Sequence, residues 1–347
     1  MALDITGKYQ YPHPNKPWLQ LRREEILEPA LPIVDAHHHL WQEPGNRYLA
    51  DDFIEDIASG HNIVATVFLQ AHFGYSDSRP PHLRPVGETE MVEAMRRDLR
   101  NRYPQFRACA GIVSFADLMA PQLLNEVLDA HAAASAHFRG IRQSVARDSH
   151  FPDGIVLRPA PAGMLSDPRF LASVKALGRR GLSFDAMLYH EQLEELIALA
   201  RAALDTHIII DHIGCPIGVG PYRGKERETF GFWRRSIEAL SKCSNVAVKF
   251  GGLGMIILGA EYHLADRPPG SQELAEAWRP YFDVCVESFG TSRCLFESNF
   301  PVDKGMFAYP VVWNAFKRLA ARASPAEKAD LFSRTAAGLY RLDELAL

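Results

Sequence analysis

Short apolar runs rich in β-branched residues recur along the chain, and most are followed by a stretch whose apolar positions repeat at helical spacing. Eight runs stand out: PIVDAH (32–37), NIVATVFLQ (62–70), FRACAGIV (106–113), FRGIRQ (138–143), LSFDAML (182–188), HIIIDH (207–212), NVAVKF (245–250) and RCLFES (293–298). Between them ETEMVEAMRRDLRNR, HEQLEELIALARAAL and GFWRRSIEALSKC have the pattern of amphipathic helices. Strand patterns alternating with helix patterns predict βα units on a parallel sheet. Eight such units in 347 residues predict an α/β fold, a distorted (β/α)8 TIM barrel of about 250 residues plus insertions. An open doubly wound sheet fits less well, because no GxGxxG follows an early strand.

Residues 1–30 carry proline, aromatics and charge but no strand pattern, so they read as an N-terminal arm over a single domain spanning 31–347. Two long irregular segments, 71–87 and 251–272, follow the second and seventh strands. In a barrel both lie on the C-terminal face, where they would form substrate walls or lids. As plain surface insertions they would instead serve oligomer contacts, which leaves a homo-oligomer open.

Composition acts mainly by exclusion. At 47% hydrophobic and 23% charged residues the chain is an ordinary globular protein. Its net charge of -4 gives no electrostatic reason to expect nucleic acid as a partner. The five cysteines are odd in number, scattered and without a CxxC pair, which argues against a disulfide framework or a thiolate zinc site and for a reducing, cytoplasmic setting. The first residues lack the basic and apolar regions of a signal peptide, and no apolar run approaches the roughly 18 residues needed to span a bilayer. The expected partner is therefore a small-molecule substrate, not a membrane.

Candidate chemistry gathers at the ends of the strands. In Asp35-Ala36-His37-His38-His39-Leu40-Trp41, alternation puts His37 and His39 on one face and His38 on the other. Two neutral imidazoles on one face are a natural start for a divalent metal site. His190 follows the fifth strand and His212 ends the sixth, so a barrel brings four histidines to one rim. Gln70 and His72 follow the second strand and Trp41 the first, as substrate contacts. Arg142 ends the fourth strand with Arg147 close behind, and their planar guanidinium forks suit a carboxylate or a polarised carbonyl.

DAHHHLW, FRGIRQ, DHIGCP and FESNFP together resemble the amidohydrolase superfamily, in its amidohydrolase-2 branch, over roughly residues 31–340. Within it they are most similar to the lactonase-like group acting on pyrone dicarboxylate and on rhamnono- and fucono-lactones. The resemblance implies a barrel that opens a lactone or carboxylic ester of a small, oxygen-rich, anionic substrate with an activated water. His37 and His39 match the family's HxH pair, His190 a fifth-strand position and His212 the sixth-strand histidine. Members of the group work with zinc or another divalent ion, or without metal, so an ion on His37, His39 and His212 and a metal-free site are equally compatible.

The departure is on the eighth strand. Where the group carries a pattern like FGSDWP, whose aspartate binds metal or takes the water's proton, this chain has Asn299. An amide cannot act as a base near neutrality, although it can orient water or substrate. Either Asp303, four residues on, or Glu297, on the same strand face as Asn299, then supplies the basicity, or the imidazoles do. Otherwise the barrel has left hydrolysis for decarboxylase, hydratase or isomerase chemistry, or is a silent partner subunit. Asp211 is expected to face away from His212, and Asp35 to orient an imidazole from below.

Overall fold

All eight runs contain a strand in the computed structural model, which describes residues 11–43, 45–155, 158–342 and 345. They are β1 (Ile33–His38), β2 (Ile63–Leu69), β3 (Arg107–Ser114), β4 (Phe138–Arg142), β5 (Ser183–Ala186), β6 (Ile208–Ile210), β7 (Val246–Phe250) and β8 (Cys294–Phe296). Neighbours pair in parallel and in sequence order. Asn299 N donates to His37 O at 3.0 Å and His39 N to Phe300 O at 2.8 Å, which joins the end of β8 to β1 and closes the ring.

One helix follows each strand: α1 (Ala50–Ile57), α2 (Val86–Arg102), α3 (Pro121–Ala134), α4 (Pro168–Arg179), α5 (Leu193–Ala202), α6 (Glu226–Leu240), α7 (Ser271–Phe289) and α8 (Tyr309–Leu319). Each turns an apolar stripe inward. In α7 the stripe is Leu274, Trp278, Phe282, Cys285 and Phe289, and these side chains pack with β7 and β8 residues such as Phe250 and Phe296. Inside the ring a second cluster, including Val67, Leu69, Ile209, Ala247 and Leu295, is joined by Tyr340 from the C-terminal segment. Arg341 of that segment donates to Gly181 O just before β5, so the segment covers the N-terminal mouth of the barrel. The opposite mouth is left for chemistry.

The arm, whose first ten residues lie outside the described ones, runs along α7 and α8. Trp18 Nε1 donates to Ala265 O at 2.9 Å, and Lys317 Nζ to Leu27 O and Glu28 O at 2.7 and 2.9 Å. No helix among the described residues is long and apolar enough to cross a membrane. All five cysteines are buried and unpaired.

Segment 71–87 is pinned over the C-terminal mouth by Glu88 in the first turn of α2, whose Oε1 accepts from Ala71 N at 2.7 Å and Phe73 N at 3.1 Å. Burial pushes this carboxyl up to about 7, against 4.5 for a free one. A carboxyl whose folded pKa lies above its unfolded value favours folding while protonated, so stability should fall as pH rises from about 4.5 to 7, by about 3 kcal/mol. Both backbone donors meet the same oxygen, so Gln can keep both bonds without the charge. Thermal melts of Glu88→Gln should match the wild type at pH 5 and exceed it at pH 8. A lower melting point at pH 8 would mean that the ionised carboxylate stabilises the fold.

Candidate active site

His37 and His39 share a face as alternation requires, with ring centroids 4.7 Å apart, while His38 lies on the other face stacked on Phe53 at 4.3 Å. The ring nitrogens of His39 are ordered by their neighbours. His39 Nδ1 lies 2.8 Å from Leu69 O, and a carbonyl only accepts, so the proton sits on Nδ1 and leaves Nε2 bare. His37 Nε2 lies 3.0 Å from that bare nitrogen. On the far side of His37, Lys249 Nζ lies 3.3 Å from Nδ1, 2.8 Å from Asp185 Oδ2 and 2.9 Å from Asp211 Oδ1. His39 thus donates from Nδ1 to Leu69 O, and His37 Nδ1 lies between the Lys249 ammonium and the Glu297 carboxylate, 3.3 and 2.7 Å away.

Burial holds both imidazoles well below their usual pKa and therefore neutral, with Lys249 adding to the effect on His37 and Arg142 to that on His39. Burial pulls Lys249 down as well, but Asp185 and Asp211 outweigh it and keep the ammonium charged.

Glu297 shares a strand face with Leu295 and points into the ring. Its Oε1 accepts from His212 Nδ1 at 2.6 Å and from His212 N at 3.2 Å. Its Oε2 sits 2.7 Å from His37 Nδ1 without the alignment of a hydrogen bond. Burial alone would raise this carboxyl, but the imidazoles of His212 and His37 hold it well below the usual range. The charge of Glu297 in turn raises His212 against the opposing effect of burial. Gly251 and Gly252 make the room: a Cβ on the first would strike Glu297, and on the second, at φ +67°, the His212 ring.

Asn299 adopts the left-handed conformation, φ 56°. Its Nδ2 donates to Asp303 Oδ1 at 3.1 Å while Asp303 Oδ2 accepts from Gly254 N at 3.1 Å. The amide is thereby fixed with Oδ1 buried and unpartnered. Burial pushes Asp303 up to about 7. It is enclosed in a helical turn, and Lys304 turns away to Asp56 Oδ2 at 2.6 Å.

The cavity at this mouth holds about 760 Å3 of empty space including its opening. His39, Gln70, His72, Arg142, His212 and Asn299 line it. Tyr11, Trp41, Met187, Met255, Ile257 and Val302 line it as well, so the arm and segments 71–87 and 251–272 all contribute wall. Arg142 Nη2 donates to Gln70 O, and Nη1 lies 3.5 Å from His37 Nε2.

Two expected site residues are elsewhere. His190 packs edge-on against Tyr222 and Phe232, its Nδ1 accepts from Ile217 N at 3.4 Å, and burial lowers it to about 4. Strand β5 ends at Ala186, so the rim position extrapolated to His190 falls in a following turn. Arg147 braces its own loop by donating from Nη1 to Ala160 O at 3.1 Å, and it does not line the cavity.

Asp211 and Asp35 also differ from expectation. Strand β6 stops at Ile210, and His212 at φ 52° sits in a tight turn, so strand alternation no longer applies and Asp211 points inward to Lys249. Asp35 orients no imidazole: it accepts from Ser298 N at 2.9 Å and Tyr309 Oη at 2.9 Å, tying β8 to β1. Tyr11, Met187, Met255 and Ile257 escaped the sequence reading because apolar wall residues on irregular segments carry no periodic signal.

Three donors come within 4.8 Å of one another, His37, His212 and Glu297, in place of the expected set His37, His39 and His212. The unpartnered buried oxygens Glu297 Oε2 and Asp211 Oδ2 lie in the same cluster, and an imidazole–carboxylate set suits zinc. These residues fit a divalent ion.

A family model described as amidohydrolase matches residues 34–342. An uncharacterized protein, y4mH, of Sinorhizobium fredii is 32% identical over 89% of this chain and 98% of its own length. L-fucono-1,5-lactonase of Burkholderia multivorans is 26% identical over 90% of this chain and 97% of its own. A solved amidohydrolase from Burkholderia multivorans with bound zinc superposes with a TM-score of 0.67 at 21% identity, covering 89% of this chain and 99% of that one.

Proposed function

The chain belongs to the amidohydrolase family and is an amidohydrolase-type hydrolase, and from that footing we propose that it opens a lactone or related carboxylic ester with a water activated by His212. The observation that carries the reading is the 2.6 Å contact between His212 Nδ1 and Glu297 Oε1. A carboxylate can only accept, so the ring proton is on Nδ1, and Nε2 is the free nitrogen of a residue that lines the cavity. Nε2 takes a proton from water, and the hydroxide attacks the carbonyl carbon. Arg142 offers its guanidinium to the developing oxyanion. The imidazolium then returns the proton to the departing ring oxygen, yielding the hydroxy acid. Asn299 Oδ1, fixed by Asp303, accepts a hydrogen bond from the attacking water. The small-molecule substrate sits in the cavity between Arg142, Gln70, His72 and Trp41. Five free buried cysteines suit a cytoplasmic setting.

The missing eighth-strand aspartate motivated a non-hydrolytic alternative. A carboxylate two residues earlier, already engaged with His212, supports hydrolysis instead. A second reading is favoured by the unpartnered Glu297 Oε2: a divalent ion held by His37, His212 and Glu297, with His212 as ligand and not base. When bound, such an ion would polarise the carbonyl and acidify a water.

Metal analysis of the purified protein before and after chelation, with a panel of lactones and aryl esters assayed in each state, tests the proposal. Turnover is expected to survive removal of metal. Turnover that is lost on chelation and restored by zinc would replace the first reading by the second. Failure to hydrolyse any lactone or ester, with or without zinc, would remove both.

A further inference from the structure

The substrate's chemistry is written in the walls of the cavity. Beyond the histidines, six side chains from separate stretches of chain converge: Tyr11 from the arm, Trp41 after β1, Met187 after β5, Met255 and Ile257 from segment 251–272, and Val302 after β8. Trp41 lies between His39, stacked at 5.7 Å, and Tyr11, tilted at 5.4 Å, so the apolar wall begins directly beside the reacting groups. Two of the six are methionines, whose thioethers adapt to irregular hydrocarbon shapes.

A polyhydroxylated ligand needs the opposite. Each hydroxyl that enters must find a partner or remain desolvated and unpaired. Among the described residues no carboxylate lines this cavity. Glu297, Asp211, Asp185 and Asp303 lie beneath its surface, each at most 1% exposed and committed to partners of its own. The lining polar groups are largely engaged as well: His72 Nδ1 with Tyr75 Oη at 2.9 Å, Ser144 Oγ with Ala146 N at 3.3 Å, Asn299 Nδ2 with Asp303. The free nitrogen of His212, Arg142, Asn299 Oδ1, the Gln70 amide N–H and the Trp41 indole N–H are left to meet a carbonyl and its water, with no carboxylate among them to take the hydroxyls of a sugar ring.

We infer that the substrate is a lactone or ester with an apolar alkyl or aryl body, bound with its carbonyl at Arg142 and its body against Trp41, Met255 and Ile257, and not a polyhydroxylated sugar lactone. The inference rests on the lactone-opening reading of the same site. It parts company with the sugar-lactonase relative, whose 26% identity does not extend that protein's substrate to this wall.

The test is a wild-type series of γ-alkyl lactones of increasing chain length, with dihydrocoumarin and with L-fucono-1,5-lactone. kcat/KM should rise about three- to fourfold per added methylene until the wall is filled, as burial of one CH2 predicts. Dihydrocoumarin should exceed the sugar lactone by at least a hundredfold. Met255→Gln should flatten the chain-length slope. Faster turnover of L-fucono-1,5-lactone than of every alkyl lactone would overturn the inference while leaving lactone hydrolysis standing. If no member turns over, the hydrolytic reading fails, and the inference is decided by quenching of tryptophan fluorescence. Binding that tightens with chain length upholds the apolar site, and absent or sugar-preferring binding overturns it.

Discussion

Glu297→Gln should lower kcat/KM for lactone opening by about 10³–10⁴-fold without unfolding the protein. Its carboxylate accepts from the side chain and the backbone of His212, at 2.6 and 3.2 Å, and lies 2.7 Å from His37. The amide has nearly the same shape and can still accept one proton. It cannot stabilise an imidazolium by charge, and its NH2 can turn toward Nδ1 and force the other tautomer, placing the proton on the nitrogen that must take one. The loss corresponds to about 4–5 kcal/mol of transition-state stabilisation. Steady-state kinetics on the variant, alongside its melting temperature, check this. A deficit smaller than tenfold with normal folding would show that His212 works without Glu297. Metal content of the same variant separates the two readings: a lost ion points to Glu297 as ligand, unchanged content to its role behind the base.

Removing the central cation should be the most damaging change to stability. Lys249 is wholly buried, and its ammonium holds Asp185 and Asp211 at 2.8 and 2.9 Å. Lys249→Met keeps the length and apolar stem but leaves two carboxylates in the barrel interior with no counter-charge. Breaking a buried pair on one side costs about 3–5 kcal/mol. Urea denaturation should show a lower midpoint with an unchanged slope. Asp185 is the partner whose carboxyl burial already raises, so adding Asp185→Asn should recover part of the loss, as a double-mutant cycle would measure. Equal stability of Lys249→Met and wild type would mean that the carboxylates take up protons at no measurable cost.

The eight strands were legible because each is a short apolar run bounded by breakers, and their order around the ring follows from right-handed βα connection. The pairing of His37 with His39 was legible for the same reason, a period of two along a strand. That reasoning ended where the strands ended. It placed Asp211 facing away from His212 and placed His190 at the rim, and both lie past the last ladder residue, in turns whose φ and ψ do not alternate. Lys304 and Asp303, adjacent in sequence, are each drawn to a distant partner, Asp56 and Gly254.

By itself the sequence determined the barrel, the HxH pair at its rim, and an asparagine at position 299, because these depend on local periodicity and residue identity; that an aspartate stands there in the group is what the resemblance implies. Tertiary structure alone decided which carboxylate meets His212. Glu297 and His212 are 85 residues apart, and only ring closure, with Gly251 and Gly252 leaving space between them, brings a carboxylate oxygen within 2.6 Å of an imidazole nitrogen. The apolar wall was likewise invisible beforehand, since its side chains come from irregular segments whose meeting point is set by packing and not by any spacing along the chain.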